Sequence, residues 1–414
     1  MTDLSPARVR LALLALALGG FGIGTTEFVA MGLLPEFASD LLPEVWASDS
    51  ELATASAGHL ISAYALGVVV GAPTIATVAA RLPRRALLLG LAVAFTIATV
   101  ASALSPTHEV ALVARFVAGL PHGAYFGVAS LVAASLMGPG KRGQGVAFVM
   151  AGLTVANVIG VPLITMLGQR QGWQVAYLAV AGIFAATAIS IALVVPAQPG
   201  DAGATVRREL TAMRRGQVWL ALAIGSLGFG GFFAVYSYIS PLATEVGDIP
   251  TAAVPWVLAT MGVGMTVGNL LGGRLADRGS LRGMLIGFVL FIAALGLLGV
   301  ISGSPVGLFV GIFAVGTTAC LTTPSIQTRL MDVAGESQTL AAALNHAALN
   351  IGNSLGAFLG AMVIAAGLGF VAPTWLGLGI AVLGLGIVLS ARAVQVRTDR
   401  QRPTAVSTPA VTAG

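Results

Sequence analysis

Charge is what this chain has least of. Its 414 residues include 21 Lys+Arg and 16 Asp+Glu, or 9% charged, against about 25% in an ordinary soluble domain. A soluble fold of this size needs more charge than that to cover its surface, so a water-soluble enzyme is excluded. Cysteine is scarcer still. The lone Cys320 cannot close an intrachain disulfide, and nothing here depends on an oxidising compartment. The net charge of +5 excludes a strongly acidic or basic scaffold. The glycine-rich stretches within the apolar helices are followed by no lysine as in a phosphate loop, no His/Cys/Glu cluster has metal-ligand spacing, and no Ser/His/Asp or paired-carboxylate constellation stands out. What is present is apolar: 57% hydrophobic residues, 54 glycines and a mean hydropathy of +0.93. That is the composition of a polytopic membrane protein.

A spanning helix takes roughly 20 apolar residues. Charge and turn punctuation place twelve of them at 9–34, 52–80, 86–104, 109–137, 144–168, 174–196, 217–242, 252–275, 283–302, 306–330, 338–366 and 374–392. Arg8 and Arg10 before the first run give it the look of a secretory signal. The run is too long for one and lacks a small-residue cleavage site, so it reads as an uncleaved span. With the N-terminus inside, every basic residue falls on the cytoplasmic side except Arg170, outside, and Arg115, within a span. Glu36, Asp40, Glu44, Asp49, Glu51, Glu109, Glu245 and Asp248 fall outside. The positive-inside rule then makes both termini cytoplasmic. Because the arginines follow topology over many loops, nucleic acid is not implied.

The chain reads as a duplication. Residues 197–216, with Pro199, Gly200 and the pairs Arg207-Arg208 and Arg214-Arg215, form a cytoplasmic linker between six-helix halves at 1–196 and 217–392. Residues 393–414 read as a disordered cytoplasmic tail. Gly71 and Arg81 match Gly268 and Arg278, Gly119 matches Gly316, and Asn157 and Gly160 match Asn353 and Gly356, all at nearly one offset. Parallel repeats with a substrate site between them are a known transporter plan.

These features resemble the major facilitator superfamily, in its twelve-span branch of bacterial drug:proton antiporters, over residues 9 to 392. GGRLADRG (272–279) resembles the family's loop motif between the second and third helices of each half, and Arg115 with Gly119 and Gly123 its fourth-helix motif. Gly152, Asn157, Gly160 and Pro162 resemble a variant of the fifth-helix antiporter motif, with GVP where the usual pattern has GP. GIGTTEFVAMGLLP (22–35) and LPHGAYFG (120–127) look like the subgroup of chloramphenicol, sugar and purine efflux proteins. The resemblance implies an all-α fold of two pseudo-symmetric six-helix bundles, and an inner-membrane antiporter working by alternating access. It also implies that Arg81, Asp277 and Arg278 gate the cytoplasmic side. The first-half loop departs from the pattern, carrying Ala80 where the family usually places an aspartate.

Inside the spans, ionisable residues are few. Glu27 lies nine residues before Glu36, about 13 Å along a helix at 1.5 Å per residue. A carboxyl group in the bilayer is costly and becomes a functional candidate by default. A proton carrier and a permanently paired structural carboxylate are its two readings. Arg115, six residues after Glu109 and so about 9 Å deep, is a feasible partner, either static or switching. His122 is two turns beyond Arg115 on the same face and is a candidate proton relay; His59 and His346 also fall within spans. Neither Glu27 nor Arg115 has a counterpart in the second half, which places proton handling in the first half and substrate contact in the second. The candidate substrate residues are Tyr125, Asn157 and Asn350, with the stripe Phe229, Phe233 and Tyr236, since aromatic walls with a few polar groups suit amphipathic ligands. Lipid contact or helix packing is the alternative for that stripe. The expected partners are a small-molecule substrate, protons and the bilayer, with no cofactor and no metal, and the working unit is read as a monomer. The leading function is proton-coupled efflux of a small amphipathic compound such as a chloramphenicol-like drug. Export of a sugar or purine nucleoside is the alternative, and an integral membrane enzyme is a distant third.

Overall fold

The computed structural model describes residues 5–79, 81–138, 141–200, 216–334 and 338–401, with side chains except at 76–79, 142–143, 334, 338–343 and 396–401. Among them the secondary structure is helical throughout. Twelve helices are long and apolar enough to cross a membrane. The first six are Pro6–Gly32, Ser50–Ile75, Arg84–Ala103, His108–Met137, Gln144–Gln171 and Trp173–Val194. The second six are Gly216–Tyr236, Thr251–Asp277, Ser280–Ile301, Pro305–Val333, Leu344–Ala365 and Ala372–Gln395. Large apolar side chains such as Ile97, Leu193, Val300 and Val306 are exposed on the outside of the bundle, the arrangement a lipid solvent calls for.

Local signals set several helix ends. Ser5 caps the first span, its Oγ accepting from Arg8 N at 3.4 Å, with Pro6 at the first helical position. Asp49 Oδ1 accepts from Leu52 N at 2.9 Å and starts the second. Other features depart from the sequence expectation. The connection read as a loop at 35–51 folds into short helices, Leu34–Leu41, Pro43–Ser48 and the start of Ser50–Ala57, two of them opened by Pro35 and Pro43. The fourth span is interrupted between Gly119 and His122, where Pro121 has no N–H to continue the ladder. The fifth carries a π turn at Ala156–Gly160. The seventh, expected to reach 242, stops at Tyr236 and continues as Ile239–Pro241 and a π turn, Leu242–Val246. The last helix runs through the expected tail to Gln401, since no helix breaker precedes Pro403. Ala80, residues 201–215 of the linker and the tail beyond 401 lie outside the described residues.

The packing repeats with the chain. The first span packs on the fifth and sixth as the seventh does on the eleventh and twelfth; the second packs on the fourth as the eighth on the tenth; the third packs on the sixth as the ninth on the twelfth. Between the halves, the second meets the eleventh and the fifth meets the eighth. Adding six to each span number reproduces the whole pattern, as expected of two related bundles facing each other. The end carrying residues 33–49 is the loop end, and the end where the first span begins is the terminal end. From the loop end to mid-depth the halves are joined by several contacts. Gln169 Nε2 donates to Thr251 O at 3.1 Å, Ser62 Oγ donates to Ser354 O at 3.2 Å, and the Tyr238 ring packs over Gly58.

Candidate functional site

Glu27 lies in the last third of the first span and is only 6% exposed. Its Oε1 accepts a hydrogen bond from Nδ2 of Asn353, in the eleventh span, at 3.2 Å. The carboxyl group is therefore held across the boundary between the halves. The feasible pairing with Arg115 is not formed: Arg115 Nη1 donates instead to Thr26 O at 3.2 Å and to Thr26 Oγ1 at 3.4 Å. Thr26 is the chain neighbour of Glu27, so the two charges stand side by side without bonding. The division of labour read from the sequence changes accordingly, since the acid in the first half has its partner in the second.

Arg115 is buried, with its Cζ 4.3 Å from the centre of the Tyr64 ring and 5.5 Å from that of Tyr177. Its Nε and Nη2 are buried and have no partner among the described residues. An unpaired buried donor costs about 1–3 kcal/mol, and more when charged; the two ring faces offset part of that through cation–π attraction. The Tyr64 hydroxyl lies 3.1 Å from His122 Nδ1. The His122 ring is 6.2 Å from that of His346 in the second half, and His346 stacks on Phe126 at 5.3 Å with the planes 3° apart. His122 thus sits where the fourth and eleventh spans meet.

The aromatic stripe of the seventh span is buried, which removes the lipid-facing alternative. Phe233 and Tyr236 stack on Phe28 of the first span, with centroids 6.3 and 5.3 Å apart, and Phe229 packs on Phe233 at 6.2 Å. The Tyr177 and Tyr236 hydroxyls and the side-chain oxygens of Asn157, Asn350 and Asn353 are buried without partners among the described residues. Asn350 Nδ2 donates to His346 O at 3.0 Å. Asn157 lies in the π turn, where the fifth span meets the eighth.

Tyr125 belongs elsewhere. Its hydroxyl donates to Leu16 O at 3.1 Å and its ring packs on Phe95 and Phe126 within the core of the first half. With both ends of the side chain satisfied there, it is withdrawn from the substrate set. Arg81, Asp277 and Arg278 are exposed at the terminal end, away from this cluster. Asp277 closes the helix Val254–Asp277 and has no bonded partner among the described residues. Sequence reasoning passed over Tyr64, Tyr177 and Phe28. The available signal was position: tyrosine normally gathers at membrane interfaces, whereas all five tyrosines here are fully buried.

Comparison with known proteins agrees with this architecture. The sequence profile of the Major Facilitator Superfamily matches residues 16–254 and 239–412, together nearly the whole chain. The inner membrane transport protein YdhP of Escherichia coli (strain K12) is 38% identical over 387 residues, covering 93% of this chain and 97% of that protein. A chloramphenicol resistance protein of Streptomyces lividans is 32% identical over 369 residues, covering 88% and 92%. Among solved structures, a D-xylose-proton symporter superposes with a TM-score of 0.75 at 16% identity, covering 92% of this chain and 97% of that one; it speaks for the fold alone. With twelve spans in two matching halves, a polar cluster between them, and relatives aligned over nearly their whole length, the chain belongs to the major facilitator superfamily and is a membrane transporter.

Proposed function

We propose that this transporter is a proton-coupled efflux antiporter of the bacterial cytoplasmic membrane, with both termini cytoplasmic. It exports a small amphipathic compound, and the halves 1–196 and 217–392 rock about the cluster around Glu27. The observation that carries this reading is the Glu27–Asn353 hydrogen bond across the half boundary. A proton changes transport only if it changes the relative free energies of two states. An ionised Glu27 accepts a charge-assisted bond from Asn353, roughly twice as strong as the neutral bond left after protonation. Proton uptake therefore alters the tie between the halves. His122, whose Nδ1 lies 3.1 Å from the Tyr64 hydroxyl beside Arg115, relays that proton in this reading. Export of a sugar is the competing reading, favoured by the unpartnered amide oxygens of Asn350 and Asn353 and by a relative named a probable sugar efflux transporter in Mannheimia succiniciproducens, 26% identical over 352 residues. The test uses purified protein in liposomes with an imposed pH gradient and labelled chloramphenicol and arabinose as probes. Accumulation that collapses with a protonophore is expected for one of them. Equal fluxes with and without the gradient would remove proton coupling.

Gating at the terminal end yields a further expectation. In this structure the joined contacts lie from the loop end to mid-depth and Asp277 has no bonded partner among the described residues. An aspartate lock would act only in the opposite state, when the terminal ends meet. Asp277→Asn should therefore leave the present arrangement untouched and raise its population, by about tenfold if the lost contact is worth about 1.4 kcal/mol. A solvated ion pair worth under about 1 kcal/mol would hardly move it. Spin-label distances across the terminal end distinguish the two, and identical distributions in wild type and variant would reduce Asp277 to a surface residue.

A further inference from the structure

The guanidinium of Arg115 is half used. Nη1 is bonded to Thr26, while Nε and Nη2 are buried and unpartnered. Those two nitrogens share one edge of the planar group, and their N–H bonds point the same way. Such an edge is built to receive two neighbouring oxygens at once. Tyr177, whose ring lies against the same guanidinium, offers a further unpartnered hydroxyl. The second half presents the opposite chemistry, the free amide oxygens of Asn350 and Asn353. Phe233 and Tyr236 of the second half stack on Phe28 of the first, the span that also carries Thr26 and Glu27.

We propose that the open edge of Arg115, together with the Tyr177 hydroxyl, is the receptor for a pair of adjacent oxygens on an uncharged substrate, a nitro group or a vicinal diol. The substrate's own N–H or O–H groups turn toward the asparagines of the other half. This assignment rests on the antiporter reading and deepens it. Charge balance selects the uncharged class. In an antiporter the substrate occupies the site when the proton does not, so Glu27 is then ionised and cancels Arg115. A neutral ligand enters a site that is already balanced. A lipophilic cation enters beside an arginine in a low-dielectric interior, where like charges repel most strongly. With Glu27 and Arg115 already cancelling, it would leave the site with a net positive charge. A carboxylate would leave the site with a net negative charge.

The test is equilibrium binding to purified wild-type transporter at one pH with no gradient, so that coupling plays no part. Two matched pairs serve as probes: chloramphenicol with its analogue reduced to the aryl amine, and arabinose with a deoxy sugar lacking the vicinal pair. For at least one pair the two-oxygen member should bind tenfold or more tightly. Arg115→Lys, which keeps the charge but loses the fork, and Tyr177→Phe, which keeps the ring, should each collapse that ratio while the poorer member binds as before. Tetraphenylphosphonium should not displace the bound probe. Tyr177→Phe serves if Arg115→Lys folds poorly. The assignment is overturned if neither pair shows the ratio, if the ratio survives in a folded variant, or if tetraphenylphosphonium competes. Loss of pH-driven transport with the ratio intact would strike the antiport reading and leave the receptor standing.

Discussion

Glu27→Gln should abolish pH-driven accumulation while downhill exchange of substrate continues. Glutamine keeps the length of the side chain and an oxygen that can accept from Asn353 Nδ2, so the tie between the halves survives in neutral form. What it cannot do is bind and release a proton. One proton moving down a gradient of one pH unit releases about 1.4 kcal/mol, which supports at most about a tenfold accumulation. The accumulation ratio in the Glu27→Gln variant should fall to unity at every gradient, with counterflow of labelled for unlabelled substrate retained. The same preparation reports both quantities, so a variant that has merely unfolded is recognised by the loss of counterflow. Full accumulation in the variant would show that another group carries the proton, and His122 would be examined next.

The twelve spans and their two-fold plan were legible because a bilayer leaves few choices: apolar length marks a span. The repeat offset of Asn157 with Asn353 and Gly119 with Gly316 foreshadowed the packing in which each span of one half finds the same neighbours as its counterpart. Glu27 and Arg115 were legible because a charge inside a span is too costly to be casual. Their partners were not. Depth along a helix brings Glu27 and Arg115 to similar levels but says nothing of facing, and the carboxyl group turned to an amide from the other half. The π turn at Ala156–Gly160 was invisible because a slip of one hydrogen bond changes no composition. Tyrosine was misjudged both ways. Tyr125 was proposed for substrate although its hydroxyl is bonded to a backbone carbonyl, while Tyr64 and Tyr177, lying against the arginine, were not singled out.

Gly262→Val and Gly119→Val are expected to fail differently, although both place a side chain onto a backbone carbonyl. A Cβ at Gly262, in the eighth span, would overlap the carbonyl oxygen of Asn157 in the fifth; that seam joins the two halves. A Cβ at Gly119, in the fourth span, would overlap the carbonyl oxygen of Tyr64 in the second; that seam lies within the first half. Overpacking of this kind typically costs about 1–3 kcal/mol. In the Gly119→Val variant every state of the transporter contains the seam, so the cost falls on folding, and lower yield and a lower melting temperature are expected. In the Gly262→Val variant the seam exists only while the fifth and eighth spans are together. The cost then falls on the equilibrium between states, moving it by roughly tenfold to a hundredfold towards separation at the loop end. Yield should be near normal and transport strongly reduced. Spin labels at Arg170→Cys and Thr251→Cys, with Cys320→Ser to remove the buried native thiol, read the loop-end separation beside the Gln169–Thr251 contact. A longer distance population in the Gly262→Val variant is the expected result. An unchanged distribution with a fallen yield, as for Gly119→Val, would mean that the fifth and eighth spans never part and that the halves do not move about this seam.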